Sequence, residues 1–279
     1  MVLFKVRKNK CQSLVVKMSE LKIAVISDIH GNGDALISAL EKLKPLSIDT
    51  TVFLGDLLTY GCQPLMVLDV LNAYKKINNC IFIKGNHDQF YFDLADGKDS
   101  FDYEIPEFVS ESILWTANEL KGIQLQSMFN WQESMMLNSI YFAHANPYPY
   151  GNWQYVESPE QYYLAAKKLA KMGCDVGVFG HSHRQYAITV SEELTHSHIT
   201  SDKVVLNQGG SYLFNAGSIG QPRGKGLNYM TFTINGHELS FKNYGLEIDL
   251  NSSVDQINKT DMSMSTKLKL ISYLESSNG

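Results

Sequence analysis

Cysteine is scarce and scattered. Cys11, Cys62, Cys80 and Cys174 are far apart and form no Cys-x-x-Cys pair. That excludes a disulfide-stapled scaffold and fits isolated thiols in a reducing compartment. Long apolar runs are also missing: nothing approaches the roughly 18 continuous apolar residues of a membrane span. The first 17 residues lack an apolar core followed by a small-residue cleavage site, so no signal peptide is read there and a cytoplasmic protein is expected. Basic charge is not in excess. The 24 Lys and Arg stand against 29 Asp and Glu, a net charge of −5, which argues against an enzyme that grips duplex DNA through a basic stripe. Internal repeats and low-complexity segments are absent as well.

What is present is an ordinary globular composition, with 44% apolar residues in 279, enough for one large α/β domain or two small ones. Residues 1–20 read as an N-terminal extension, either an extra edge strand or a segment ahead of a physiological start at Met18. Residues 21–250 read as one domain and 251–279 as a polar tail with a short surface helix over 264–274. Short, partly β-branched runs at Ile23–Ile26, Thr51–Leu54 and Cys80–Ile83 predict strands buried on both faces. Helical spacing over 34–44 and 64–76 separates them, with Pro45 and Pro64 at helix boundaries. Alternation of this kind implies right-handed crossovers and a mainly parallel sheet. Further helices are expected over 107–121 and 159–172. Strands are expected at 134–137 and 140–143 around Asn138-Ser139, at 176–179, 185–190, 203–206 and 211–215, and in a hairpin at 229–234 and 238–244.

The strands end in polar residues. Ile23–Ile26 runs into Ser27-Asp28-Ile29-His30, Thr51–Leu54 into Gly55-Asp56, and Cys80–Ile83 into Gly85-Asn86-His87-Asp88. Later runs end in His144 and in Gly180-His181-Ser182-His183. In an open α/β sheet the crevice beyond the strand C-termini is where ligands bind. Two carboxylates, an amide and several imidazoles make a mixed oxygen and nitrogen ligand set. Such a set suits Mn²⁺, Fe²⁺, Co²⁺, Ni²⁺ or Zn²⁺, and is too rich in imidazole for calcium. It is also too large for one ion, whereas two ions sharing a carboxylate would use it all.

The ordered set Asp28-x-His30, Gly55-Asp56, Gly85-Asn86-His87-Asp88, His144 and Gly180-His181-x-His183 resembles the calcineurin-like metallophosphoesterases. His30-Gly31-Asn32 and the segment Asn215 to Arg223 resemble their compact prokaryotic branch, which includes diadenosine-tetraphosphatase-like and small phosphodiesterase-like members. The resemblance implies a four-layer α/β/β/α sandwich of two mixed sheets. The first sheet would hold the strands ending in Asp28, Asp56 and Asn86, and the second the later strands and the terminal hairpin. It implies one divalent ion on Asp28, His30 and His183, another on Asn86, His144 and His181, and Asp56 between them. A hydroxide held by both ions would attack phosphorus in line, His87 would protonate the leaving oxygen, and Asp88 would orient the His87 ring. The substrate would be a small or nucleotide-type phosphate ester. A phosphoprotein phosphatase is the alternative in the same class, and a non-catalytic interaction module on the same fold is the alternative outside it.

Two further residues are candidates for substrate binding. Arg223 follows a glycine-containing turn and carries a planar guanidinium suited to phosphate. Asn32 is the other, with N-capping of the following helix as its competing role. Trp131, Tyr148, Tyr150, Trp153 and Tyr155 flank His144 and read either as core and rim or as a stacking surface for a nucleobase. Tyr60 could wall the pocket and Cys62 reads as an inert small residue. His196, His198 and His237 belong to no motif.

Overall fold

The structure is a computed structural model. It describes residues 20–98, 101, 104–191, 193, 195–206, 210–224 and 226–275. The N-terminal extension with its expected strand, and the choice between Met1 and Met18 as start, fall outside these residues.

The first half alternates as its periodicity predicts: β1 (Leu21–Ile26), α1 (Gly33–Leu43), β2 (Thr50–Phe53), α2 (Pro64–Tyr74) and β3 (Cys80–Ile83). Pro64 sits in the first turn of α2, where its missing N–H has no intrahelical partner to lose. α3 (Asn86–Ala95) follows immediately. Its buried run Phe90-Tyr91-Phe92 shows no 3.6-residue alternation, so periodicity does not reveal it. Then come α4 (Glu107–Glu119), α5 (Leu125–Met128), β4 (Trp131–Gln132), β5 (Ser134–Leu137), β6 (Ile140–Ala143), α6 (Pro159–Lys171) and β7 (Val176–Phe179). The chain continues through β8 (Tyr186–Ser191), β9 (His196–His198), β10 (Lys203–Val205), β11 (Gly210–Asn215), β12 (Leu227–Asn235) and β13 (Glu238–Leu246). It closes with α7 (Leu250–Lys259) and α8 (Met264–Glu275).

Among the described residues the strands form a seven-stranded sheet, ordered β10-β13-β12-β1-β2-β3-β4, and a six-stranded sheet, ordered β5-β6-β7-β11-β8-β9. Successive strand residues point to opposite faces, and the burial follows. Ile23, Val25, Val52 and Leu54 meet Ile140, Phe142, Val176, Val178 and Phe214 between the sheets. Ala24, Ile26 and Phe53 face the helices on the first sheet, while Tyr141, Phe179 and Leu213 face α6 on the second. The layers are therefore α/β/β/α.

One strand assignment differs from expectation. The terminal hairpin belongs to the first sheet, because β12 pairs antiparallel with β1 from Leu21↔Ile234 to Val25↔Met230, and β10 follows on β13. The reason is the open edge of β1. The order β1-β2-β3 grows away from one side of β1, and an uncovered strand edge is left there unless another strand takes it. The tail also differs from a surface helix. Ile257, Leu270 and Leu274 are buried in the core between the helices and the first sheet. The Glu111 carboxylate on α4 accepts from the Ser263 amide, 2.5 Å away, at the start of α8.

The two sheets place their parallel strands with C-terminal ends at a common edge. β1, β2 and β3 are neighbours on one side, and β6, β7 and β11 on the other.

Candidate metal centre

At that edge five side chains sit on left-handed backbone: Asp28 (φ 53°), His30 (46°), Asp56 (53°), His181 (65°) and His183 (61°). Each such non-glycine residue costs roughly 1–3 kcal/mol, strain that persists only where the surroundings over-determine it. Here they do. Asp28 and His30 donate their backbone N–H to Gly55 and Asp56 carbonyls at 3.2 and 2.9 Å, and the Ser218 hydroxyl donates to the Asp28 carbonyl at 2.8 Å. Gly180 lies so close to the Ser27 hydroxyl and to Asp28 Oδ2 that an added Cβ would come within 2.6 Å of that carboxylate oxygen.

The side chains converge in two overlapping groups. Asp28, His30, Asp56 and His183 offer ligand atoms that all lie within 4.8 Å of one another, and so do Asp56, His144 and His181. Asp56 belongs to both: its Oδ2 is 3.7 Å from His30 Nε2 and 3.3 Å from His144 Nε2. Asn86 Oδ1 joins the second group at 3.1 Å from His144 Nε2. Asp28 Oδ1 stands 3.1 Å from His183 Nε2. All the sequence-predicted ligands are thus brought together.

The outer nitrogens of the four rings explain their orientation. His30 Nδ1 donates to Leu58 O at 3.0 Å, His144 Nδ1 to Leu54 O at 2.5 Å, and His181 Nε2 to Trp153 O at 2.9 Å. His183 Nδ1 donates to Gln221 O. A carbonyl only accepts, so the proton of each neutral ring lies on that outer nitrogen and the inner nitrogen presents a lone pair. His30 and His183 Nε2 are then 3.1 Å apart, and facing lone pairs this close repel unless a positive charge lies between them. In the metal-free protein Asp56 draws a second proton onto His144, whose Nε2 is 3.2 Å from His181 Nδ1, and a cation entering there takes that proton's place. Asp28 Oδ1 is buried with no hydrogen-bond partner among the described residues, an orphan that a cation would satisfy. The donor set therefore fits divalent metal ions.

Electrostatics point the same way. Burial pushes the Asp28 and Asp56 carboxyls up, but His183 beside the first and His144 beside the second more than reverse this, and both lie below the usual carboxylate range. Burial pushes His144 down, yet Asp56 raises it to about 9. His181 and His87 are held down by burial, to about 3 and about 4.

The other predicted residues divide. His87 is buried on the second position of α3, with its backbone N–H donating to Asp56 Oδ1 at 2.9 Å and Nε2 3.3 Å from the Tyr60 hydroxyl. Its Nδ1 has no partner among the described residues. Asp88 does not touch that ring. Its carboxylate accepts from the backbone N–H of Asp56 (2.8 Å), Leu57 (3.0 Å) and Gly85 (2.9 Å), so it clamps the Asp56 loop onto the start of α3 instead of orienting an imidazole. Asn32 caps α1 by accepting from Ala35 N at 3.0 Å and does not line the cleft over the metal ligands. Arg223 does line that cleft. Of the five flanking aromatics, Trp153 and Tyr155 line it as well, Tyr148 and Tyr150 line a neighbouring pocket, and Trp131 packs on Phe82, Phe92 and Phe129. Tyr60 is a wall residue, and burial pushes the Cys62 thiol up to about 12, in keeping with an inert role.

Two contributors were invisible in the sequence pattern. Gln221 seats His183 through its backbone carbonyl, which carries no side-chain signature. Tyr273 reaches the cleft from α8, far along the chain from the ligand motifs. The cleft has a volume of about 770 Å³, within the size range of small-molecule sites.

Similarity to known proteins agrees with this geometry. An uncharacterized protein of Methanocaldococcus jannaschii, MJ0912, is 31% identical over 221 residues, covering 78% of this chain and 83% of that one. A metallophosphoesterase from Sphaerobacter thermophilus superposes with a TM-score of 0.66 at 24% identity, covering 90% of this chain and 98% of the other. A hypothetical protein from Pyrococcus horikoshii, PH1004, superposes at 0.68 with 16% identity, covering 90% and 97%. These two share the fold. Among the described residues no helix is long and apolar enough to cross a membrane. The calcineurin-like phosphoesterase superfamily domain matches residues 21–237, most of the chain and all of its clustered Asp, Asn and His side chains; the chain belongs to that superfamily and is a metal-dependent phosphoester hydrolase.

Proposed function

We propose that the chain hydrolyses small phosphate esters at a two-metal centre. The observation that supports this best is the sharing of Asp56 Oδ2 between two ligand groups. In this reading Asp28, His30 and His183 hold one ion, Asn86, His144 and His181 hold the other, and Asp56 lies between. When bound, divalent ions there supply Lewis-acid activation of water and neutralise charge on the phosphoryl oxygens.

The remaining work falls to the chain. The buried carbonyl contacts of Leu54, Leu58, Trp153 and Gln221 hold the rings in one tautomer, so the ligand positions are preorganised before any substrate arrives. In-line displacement puts the leaving oxygen opposite the attacking water. His87 is placed to serve that oxygen: its ring lies in the cleft wall, its backbone is tied to Asp56, and Nδ1 has no partner among the described residues. Burial keeps the ring neutral near pH 7. An anionic ester beside it favours the protonated form, which then supplies the proton the leaving alkoxide needs. Tyr60, hydrogen-bonded to His87, steadies the ring. Manganese, iron, cobalt, nickel and zinc all suit the ligand set.

The test is hydrolysis of bis(p-nitrophenyl) phosphate and p-nitrophenyl phosphate by metal-stripped protein with each ion added back. Metal-dependent release in the wild type, two ions per chain, and loss of both properties in Asp56→Asn are expected. Full activity with a single ion per chain would refute the two-metal reading.

A further inference from the structure

Away from the metal ligands the cleft is walled by rings and two arginines. Phe90, Phe108, Tyr155 and Tyr273 contribute rings, and Asp56 is the only carboxylate residue lining it among the described residues. The two arginines differ. Arg184 spends its charge on Glu157, with Nη1 3.2 Å from Oε1. Arg223 faces no carboxylate among the described residues. Its Nη1 donates to the Tyr155 hydroxyl at 3.2 Å and its Nη2 to Gln221 Oε1 at 3.5 Å, both neutral. Its guanidinium carbon lies 5.7 Å from the centre of the Tyr273 ring. Its Nε is buried with no partner among the described residues. A half-buried cation with only neutral partners is costly unless an anion completes it.

The position of this cation is fixed by the same segment that seats a metal ligand. Gln221 O accepts from His183 Nδ1, and Arg223 N donates to His183 O at 3.4 Å. A line of rings links it to the side assigned to the leaving oxygen: Tyr273 beside the guanidinium contacts Phe108, Phe108 stacks on Tyr60 with centroids 6.3 Å apart, and the Tyr60 hydroxyl lies 3.3 Å from His87 Nε2. Tyr273 comes from α8, which lies beyond the superfamily match at 21–237. The tilted contact of Phe108 with Tyr273, with centroids 6.2 Å apart, joins that helix to α4.

We propose that Arg223 is a second anion site on the leaving-group side of the cleft, with Tyr273 as its positioning residue, so that the preferred substrates are phosphate esters whose leaving group carries a further phosphate. The assignment rests on the phosphoesterase reading above for the meaning of "leaving group", but not for the binding of the second anion. A planar fork whose two Nη groups hold only neutral partners can turn both to a phosphate, which a lysine ammonium at the same place would do less well.

The probes are adenosine 5′-monophosphate and adenosine 3′,5′-bisphosphate. Both present the same 5′ monoester, so the leaving oxygen is of similar acidity and only the second phosphate differs. Release of the 5′ phosphate by the metal-loaded protein is followed by chromatography of the products, and binding of both nucleotides by calorimetry. A charge-assisted hydrogen bond is worth about a tenfold to hundredfold preference. The wild type is expected to favour the bisphosphate by that factor in kcat/KM, carried mainly in KM. Arg223→Gln should bring the ratio to within about threefold of one, Arg223→Lys should leave an intermediate ratio, Tyr273→Phe should keep it, and Tyr273→Ala should lower it. A wild-type ratio near one overturns the proposal, as does a preference that survives in Arg223→Gln. Equal losses on both nucleotides with a lowered Tm would make Arg223 a structural tie and also overturn it. If no ester is hydrolysed under any metal, the phosphoesterase reading fails, and the calorimetric ratio still decides the anion site.

Discussion

Asp88→Asn separates two roles for a carboxylate that stands next to the proposed proton donor. The substitution changes the shape of the side chain hardly at all. In the structure Oδ2 accepts from Asp56 N at 2.8 Å and Gly85 N at 2.9 Å, and Oδ1 from Leu57 N at 3.0 Å. An asparagine can keep its oxygen where Oδ2 now lies, but its NH₂ then faces the Leu57 N–H, donor against donor. A buried N–H left unsatisfied costs about 1–3 kcal/mol, and the two surviving bonds lose the strength a carboxylate lends them. The sum is about 2–4 kcal/mol. For a chain of this size each kcal/mol moves Tm by roughly 2–4 °C, so a fall of roughly 4–16 °C is expected in a differential scanning fluorimetry trace. The Asp56 loop loosens with it, so metal content, measured by elemental analysis, should fall below that of the wild type. Had Asp88 oriented the His87 ring, Asp88→Asn would leave Tm and metal content untouched and reduce turnover alone. That outcome would refute the clamp.

Three other outcomes follow from the same geometry. His87→Ala should retain both metals and lose roughly 10²–10⁴ in kcat, the worth of a positioned proton donor; loss of metal on elemental analysis would show the ring to be a ligand instead. Gly180→Ala drives a methyl group against the Ser27 hydroxyl and Asp28 Oδ2, and overpacking of this kind costs roughly 1–3 kcal/mol; a variant with wild-type Tm and metal affinity would show that the strand-end contact is slack. Because Asp56 raises His144 to about 9, the metal-free ring holds a proton at pH 7.5 that an entering cation must displace. Apparent metal affinity should therefore rise with pH up to about 9, and calorimetry in two buffers of different ionisation heat should reveal proton release; a heat independent of buffer would contradict it.

The clustered Asp, Asn and His side chains were legible because their signal is local and repeated. A buried strand ends, a glycine or small residue lets the chain turn, and a donor follows; Asp28, Asp56 and His181 each stand in that pattern, and parallel pairing then carries them to one edge. Residues that act through their backbone leave no such mark. Gln221 would serve His183 equally well as almost any residue, since only its carbonyl is used. Asp88 illustrates a different blindness. Adjacency to His87 in sequence suggested adjacency of side chains, yet residues one apart on a helix do not face each other, and the carboxylate turns back onto Asp56, Leu57 and Gly85 instead.

Sheet membership was lost for a related reason. The hairpin β12–β13 has the strand pattern of either sheet, and what decides its place is the vacant edge of β1, a property of the assembled sheet and not of residues 227–246. The tail is the functionally weightier case. Its sequence is polar enough to read as a surface helix, but Leu270 and Leu274 bury against the core and turn Tyr273 toward the cleft. The metal centre is thus encoded by motifs that the superfamily shares, while the wall opposite it is completed by a helix outside the matched region. The proposed anion site draws on both parts, with Arg223 inside the matched region and Tyr273, which positions it, outside. A substitution on α8 that spares the metals should therefore alter which ester is taken without altering how it is cut.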